Sequence, residues 1–190
     1  MATAPAPAVA GRAATAGHVD ASPRASGAFP AVGDPGVPLT LAQLTQRLAV
    51  APTRDGVTDA AFAYLASHWH SALMCTIKDG VALGHRGFGG NATPAAVDAL
   101  AIPLSAASIF KQVFDSRRTE TCASTGVIQD RISRMMGSDK MTAAPVLVAG
   151  RMMGALAVGV ARSAQARQEF EQAVALVGEH YARIIRAAKG

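Results

Sequence analysis

Residues 70–90 read HSALMCTIKDGVALGHRGFGG, and two incompatible structures compete for them. As a glycine-rich loop, the stretch belongs to a nucleotide-binding α/β protein. As two strands around Lys78-Asp79-Gly80, it belongs to an antiparallel sheet. Spacing favours the strands. A dinucleotide fingerprint needs G-x-G-x-x-G between a strand and a helix. Here the order is Gly84-x-x-Gly87-x-Gly89-Gly90, and the next helix signal, Thr93-Pro94, comes late. A P-loop needs Gly-Lys-Ser/Thr, which is absent. Asp79-Gly80 between two apolar runs is a strong hairpin signal, because both residue types tolerate positive φ. Residues 70–88 are expected to form a hairpin with the glycines at its far end. A period of two then puts His85 and Arg86 on opposite faces, with Arg86 outside.

Upstream of the hairpin, Thr40 is a plausible N-cap for a helix with Leu41, Leu44 and Leu48 at helical spacing, ended by Pro52. A second helix opens near residues 55–58 and carries Val57, Ala61, Leu65 and Trp69 on one face. Downstream, Thr93 as N-cap and Pro94 at the first helical position open a short helix through Leu100. A strand is expected over 101–104, a helix over 105–118, a short strand or connector over 119–124, and a helix over 126–136 stopped by Gly137. Residues 140–161 read as a second hairpin turning at Ala149-Gly150, and a last helix covers 163–188. Hairpins with segregated helices, rather than a βαβ series, make this α+β with an antiparallel sheet of five to six strands.

The remaining bounds are compositional. The chain has 190 residues, 18 Lys+Arg against 13 Asp+Glu, and a net charge of +5. That excess is too mild to argue for nucleic acid. Arg outnumbers Lys 14 to 4 and Ala is abundant, as in GC-rich bacterial genomes. Residues 1–38 hold twelve Ala and six of the ten Pro, a composition that cannot offset its ordering entropy. They are read as a disordered tail, or as the end of a longer protein, ahead of a domain over 39–190. No signal peptide and no run of about 18 apolar residues is seen, so a cytoplasmic protein without membrane insertion is expected. Cys75 and Cys122 form no CxxC, which removes zinc-ribbon and thioredoxin motifs.

With these elements in order, residues 55–188 resemble a GAF domain. The resemblance rests on the entry helix, the hairpin ALMCTIKDGVALGHRGF, the segment IPLSAASIFKQVFDSRR, and above all MTAAPVLVAGRMMGALAVGV. The last matches a strand pattern xPVLVxGRxxGALxV from Pro145 to Val158, with Gly150, Arg151 and Gly154 at the recurring positions. PAS and roadblock-type domains have related sheets. The resemblance implies six antiparallel strands, helices around them, and frequent dimerisation through terminal helices. It implies no single ligand: such domains take cyclic nucleotides, tetrapyrroles, small acids or haem, or only hold proteins together. The cyclic-nucleotide signature is missing. Bilin attachment uses Cys beside His, whereas Thr76 follows Cys75 and Ala123 follows Cys122. Free-methionine-sulfoxide reductases of this fold use several cysteines, unlike the two here. No cofactor is expected.

Candidate site residues follow from residue type and spacing. Lys111, Arg117, Arg118, Arg131 and Arg134 lie on or beside two neighbouring helices. Arg131 and Arg134 share a helix face, suited to clamping a phosphate or carboxylate, or simply solvated. Six of the seven methionines are Met74, Met135, Met136, Met141, Met152 and Met153. Met adapts to irregular space, so a pocket is sought between the helices at 105–136 and the strands at 140–160. The pocket candidates are Cys75, Met135, Met141, Met153, Arg131 and Arg134. His68 and His70 lack a third ligand at metal spacing, so no metal is expected. Without a G-x-S-x-G elbow or a carboxylate pair, no catalytic residue is assigned. On the last helix, Phe170, Val174, Val177, Tyr181 and Ile184 are spaced 4-3-4-3. That stripe serves equally for packing on its own sheet or for a subunit interface, and a homodimer is expected. The functional expectation is a non-enzymatic regulatory or interaction module within a signalling assembly. The alternatives are a small redox or nucleotide-dependent enzyme using Cys75 or Cys122, and a roadblock-like dimerisation domain.

Overall fold

The computed structural model describes residues 38–123 and 125–188. The tail expected over 1–38 therefore lies, but for Pro38, outside the described residues. The elements run α1 (Leu41–Val50), α2 (Arg54–His68), β1 (Ala72–Lys78), β2 (Val81–Phe88), α3 (Pro94–Asp98), β3 (Ala101–Pro103), α4 (Ile109–Ser116), β4 (Glu120–Ala123), α5 (Val127–Met136), β5 (Lys140–Val148), β6 (Arg151–Val158) and α6 (Ala164–Ala187). All strand pairs are antiparallel, in one six-stranded sheet ordered β3-β2-β1-β6-β5-β4.

Local chemistry starts most helices. Thr40 and Gln43 form a reciprocal capping box at α1. Thr53, Thr93, Ser108 and Ser163 cap α2, α3, α4 and α6 through their hydroxyls. Both hairpins turn on two consecutive residues of positive φ, Asp79-Gly80 and Ala149-Gly150, the backbone of a type I′ turn. Trp69 departs from the helical face expected for it. It leaves α2 as an extended C-cap, pairs with Ala161, and packs its ring 5.6 Å from that of Phe170.

The sheet separates two apolar layers. Met74 faces α1, α2 and α6, in a cluster with Leu44, Phe62, Trp69 and Phe170. Its neighbours Leu73 and Cys75 face α3, α4 and α5, in a cluster with Phe110, Ile132, Met136 and Met141. Strand alternation alone assigns successive β1 residues to these two layers.

The glycine cluster is explained by close packing. A methyl on Gly84 would lie 2.0 Å from the Val97 carbonyl oxygen, so α3 rests directly on β2. Gly90, at φ +54, lies against the Met136–Gly137 backbone at the end of α5. The expectation for His85 and Arg86 needs correction. Met74 pairs with Arg86 and Cys75 with Gly84, which leaves His85 as an extra residue in β2. A bulge of this kind breaks the two-residue period. Arg86 is accordingly turned towards α2, with its side chain 28 % exposed, and bonds to Asp59.

Candidate functional site

The layer under α3, α4 and α5 contains two buried side-chain polar atoms that packing leaves without a hydrogen-bond partner among the described residues. α4 begins where Ser108 accepts from the Lys111 N–H at 3.2 Å. Gln129, fully buried on α5, adds a second cap: its Oε1 accepts from the Ile109 N–H at 2.8 Å. This bond ties α5 to the start of α4. The Nε2 of the same amide has no partner among the described residues, and neither has Oγ of Ser133, one helical turn further on. Ser133 is 5 % exposed. Gln129 and Ser133 are thus an i, i+4 pair on the inward side of α5, in phase with Ile132 and Met136. Buried polar groups are nearly always hydrogen-bonded, and an unmade bond of this kind costs about 1–3 kcal/mol.

Three of the six pocket candidates, Cys75, Met135 and Met141, belong to this layer. The other three do not join them. Arg131 and Arg134 are exposed on the outer side of α5, where Arg134 Nε donates to the Asp130 carbonyl at 3.4 Å. Met153 is 44 % exposed, at the point where β6 carries one residue more than β5. Gln129 and Ser133 are absent from the sequence-derived set. The signal for them was a polar residue at a helical phase otherwise held by Ile and Met.

Cys75 and Cys122 lie in the same layer and are not joined in a disulfide, and burial pushes the pKa of each thiol up. The thiolate is the nucleophile, so this environment suppresses thiol reactivity. Among the described residues, no group of three or more His, Cys, Asp or Glu is placed to hold a metal ion. Nor is any described helix long and apolar enough to cross a membrane.

The stripe on α6 is used within the chain. Phe170, Val174, Val177 and Tyr181 are buried in the α1–α2–α6 layer, and Ile184 packs against its margin. Tyr181 Oη lies 2.6 Å from Thr58 Oγ1 and donates to Met74 Sδ at 3.9 Å. Burial raises the Tyr181 pKa. The face expected at a subunit interface is therefore core. Nearer the start of α6, Tyr64 Oη donates to Glu169 at 2.8 Å, and the Gln165 amide donates to the same carboxylate at 2.7 Å.

No family model matches the sequence, and no curated protein matches it. Solved structures do. A methyl-accepting chemotaxis protein segment is similar at 13% identity and TM-score 0.61, over 75% of this chain and 96% of that one. Free methionine-R-sulfoxide reductase from Neisseria meningitidis is similar at 13% identity and TM-score 0.61, over 77% and 88%. The GAF domain of an Acinetobacter phosphoenolpyruvate-protein phosphotransferase is similar at 14% identity and TM-score 0.56, over 78% and 94%. Such low identities speak to fold, not to activity. The six-stranded antiparallel sheet with flanking helices is the GAF fold.

Proposed function

We propose that the chain is a non-catalytic regulatory module that senses a small polar ligand in the α3–α5 layer. One observation carries the reading: the paired, buried and unpartnered Gln129 Nε2 and Ser133 Oγ. A ligand that hydrogen-bonds to both supplies bonds that the described residues do not make. Met135 and Met141 line that layer with side chains that repack readily. Gln129 supplies the coupling, since a ligand on Nε2 acts on the amide that caps α4. In this reading the module works in the cytoplasm, as a homodimer within a signalling assembly. The likeness to a chemotaxis protein segment and to the GAF domain of a phosphotransferase supports the signalling context.

A thermal-shift screen of nucleotides and small carboxylic acids tests the ligand, with Ser133→Ala as the control. A compound that raises the wild-type Tm and raises the Ser133→Ala Tm much less supports the reading. A screen without any wild-type shift, or with equal shifts in both proteins, defeats it. Light scattering across concentrations tests the dimer, which is refuted by a monomer throughout.

A second reading has its own support. Two thiols share the layer, and the fold is also that of a free methionine-R-sulfoxide reductase. Against it stand their burial and raised pKa values. Turnover of free methionine R-sulfoxide with dithiothreitol, lost in Cys75→Ser or Cys122→Ser, would establish the enzyme.

A further inference from the structure

An open groove of about 630 Å³ runs between α6 and the connection from α4 to β4. Arg117 and Arg118 stand on the α4–β4 side, Glu171 and Glu179 on the α6 side, and all four are exposed. None of them has an ion pair among the described residues, where the salt bridges are Arg86–Asp59 and Lys111–Asp115. Between the two charged sides lies apolar surface with Pro145, Leu147 and Ala175, of which Leu147 is 39 % exposed. This is a different face of α6 from the stripe of Phe170, Val177 and Tyr181, which the chain's own core consumes.

The arrangement of charge is complementary to itself. Glu171 and Glu179, eight residues apart, are spread over about 12 Å of α6 and so form a row along the groove. A two-fold axis along the groove turns one copy over onto the other. It sets the basic side of each copy against the acidic side of the other, so the favourable meeting occurs twice. Leu147, between the two sides, then meets its own counterpart near the axis. An axis across the groove instead sets Arg against Arg and Glu against Glu. The charges therefore favour one symmetric arrangement and oppose the other.

Sheet extension is not the mode of contact here. β4 pairs with β5 only over Lys140–Ala143. Beyond that point β5 carries Pro145, which has no N–H. At Leu147 the strand is closed by α6, for a methyl on Gly178 would lie 2.3 Å from the Leu147 carbonyl oxygen. An occupant is held by side chains.

We propose that this groove seats a second copy of the chain, as an isologous contact about an axis along the groove, with Arg117 and Arg118 of each copy facing Glu171 and Glu179 of the other. Apolar burial around Leu147 and Ala175 supplies affinity, and the charges fix orientation. The proposal rests on the homodimer reading above and supplies the surface that the buried α6 stripe does not. It is independent of the ligand reading.

The test uses the full chain in sedimentation velocity across concentrations, with wild type, Arg117→Glu/Arg118→Glu and Glu171→Lys/Glu179→Lys. The first variant has two acidic sides and the second two basic sides, so each repels its own copy. Self-association of each is expected to weaken at least about ten-fold relative to wild type. An equimolar mixture, with a fluorophore on one variant, is expected to form a heterodimer, because the acidic and basic protomers now complement each other. All four substitutions are at exposed positions, and circular dichroism checks that the fold is retained. A wild-type dimer that both variants keep at full strength overturns this surface while leaving the homodimer standing on another. Variants that dissociate but do not combine in the mixture also overturn it. A wild type that is monomeric throughout overturns both the surface and the homodimer, and gives the groove to a different occupant.

Discussion

His85 and Arg86 are consecutive in the chain, yet both lie beside α2. His85 Nε2 approaches Thr58 Oγ1 at 3.5 Å, and Arg86 Nη2 donates to Asp59 Oδ1. The bulge places them on one face because Arg86 takes the register of Met74 while Gly84 takes that of Cys75. The Asp59 side chain is 59 % exposed, so solvent screens the pair. Asp59→Ala is expected to lower stability by no more than about 1 kcal/mol, measured by urea denaturation. A larger loss would mean that the pair anchors the bulge itself.

Gly84 carries more of the fold than this ion pair. An added methyl meets the Val97 carbonyl, and α3 must lift from β2 to admit it. Gly84→Ala is expected to destabilise by about 3 kcal/mol, at the upper end for overpacking, with a lower denaturation midpoint and an unchanged m-value. A variant as stable as the wild type would show that α3 is not held against the strand.

The order of elements was legible because each boundary carries its own local chemistry. Thr40 with Gln43, Asp79-Gly80, Thr93-Pro94 and Gly137 act within a few residues of themselves. α4 was the exception, beginning at Ile109 rather than at 105, because Ser108 and Gln129 together cap it there. What was hidden depends on partners distant in sequence. The bulge at His85 exists only through pairing with β1. The α6 stripe has one spacing whether it meets its own sheet or another chain, and burial by α1, α2 and the sheet decides between them. Apolar phase marks Cys75, Met135 and Met141 as members of one buried layer, whereas Arg131 and Arg134 share the outer side of α5. Gln129 and Ser133 were missed because polar side chains count against burial unless helical phase is weighed first.

Ala149 occupies a conformation suited to other residues. Its φ of 49 precedes Gly150 at φ 76 in the β5–β6 turn. Asn tolerates the left-handed region better than Ala does, and Asn-Gly is the preferred pair for this turn. Ala149→Asn is expected to stabilise by about 1 kcal/mol, raising Tm by a few degrees. A neutral result would indicate that the turn relaxes around Ala149.

Glu169 links stability to pH. Hydrogen bonds from Gln165 and then Tyr64 hold its carboxyl below the ordinary value of 4.5, with burial opposing them. A carboxyl depressed in the folded state binds its proton more readily when unfolded. Its contribution is therefore present above pH 4.5 and is lost as pH falls through the folded value. Glu169→Gln retains an oxygen that can accept from Tyr64 but removes the ionisation. Urea titrations over a falling pH series are expected to show the wild type ahead at neutral pH, with its lead shrinking as pH falls below 4.5. A difference that persists unchanged into acid would assign the effect to amide geometry and not to the carboxylate.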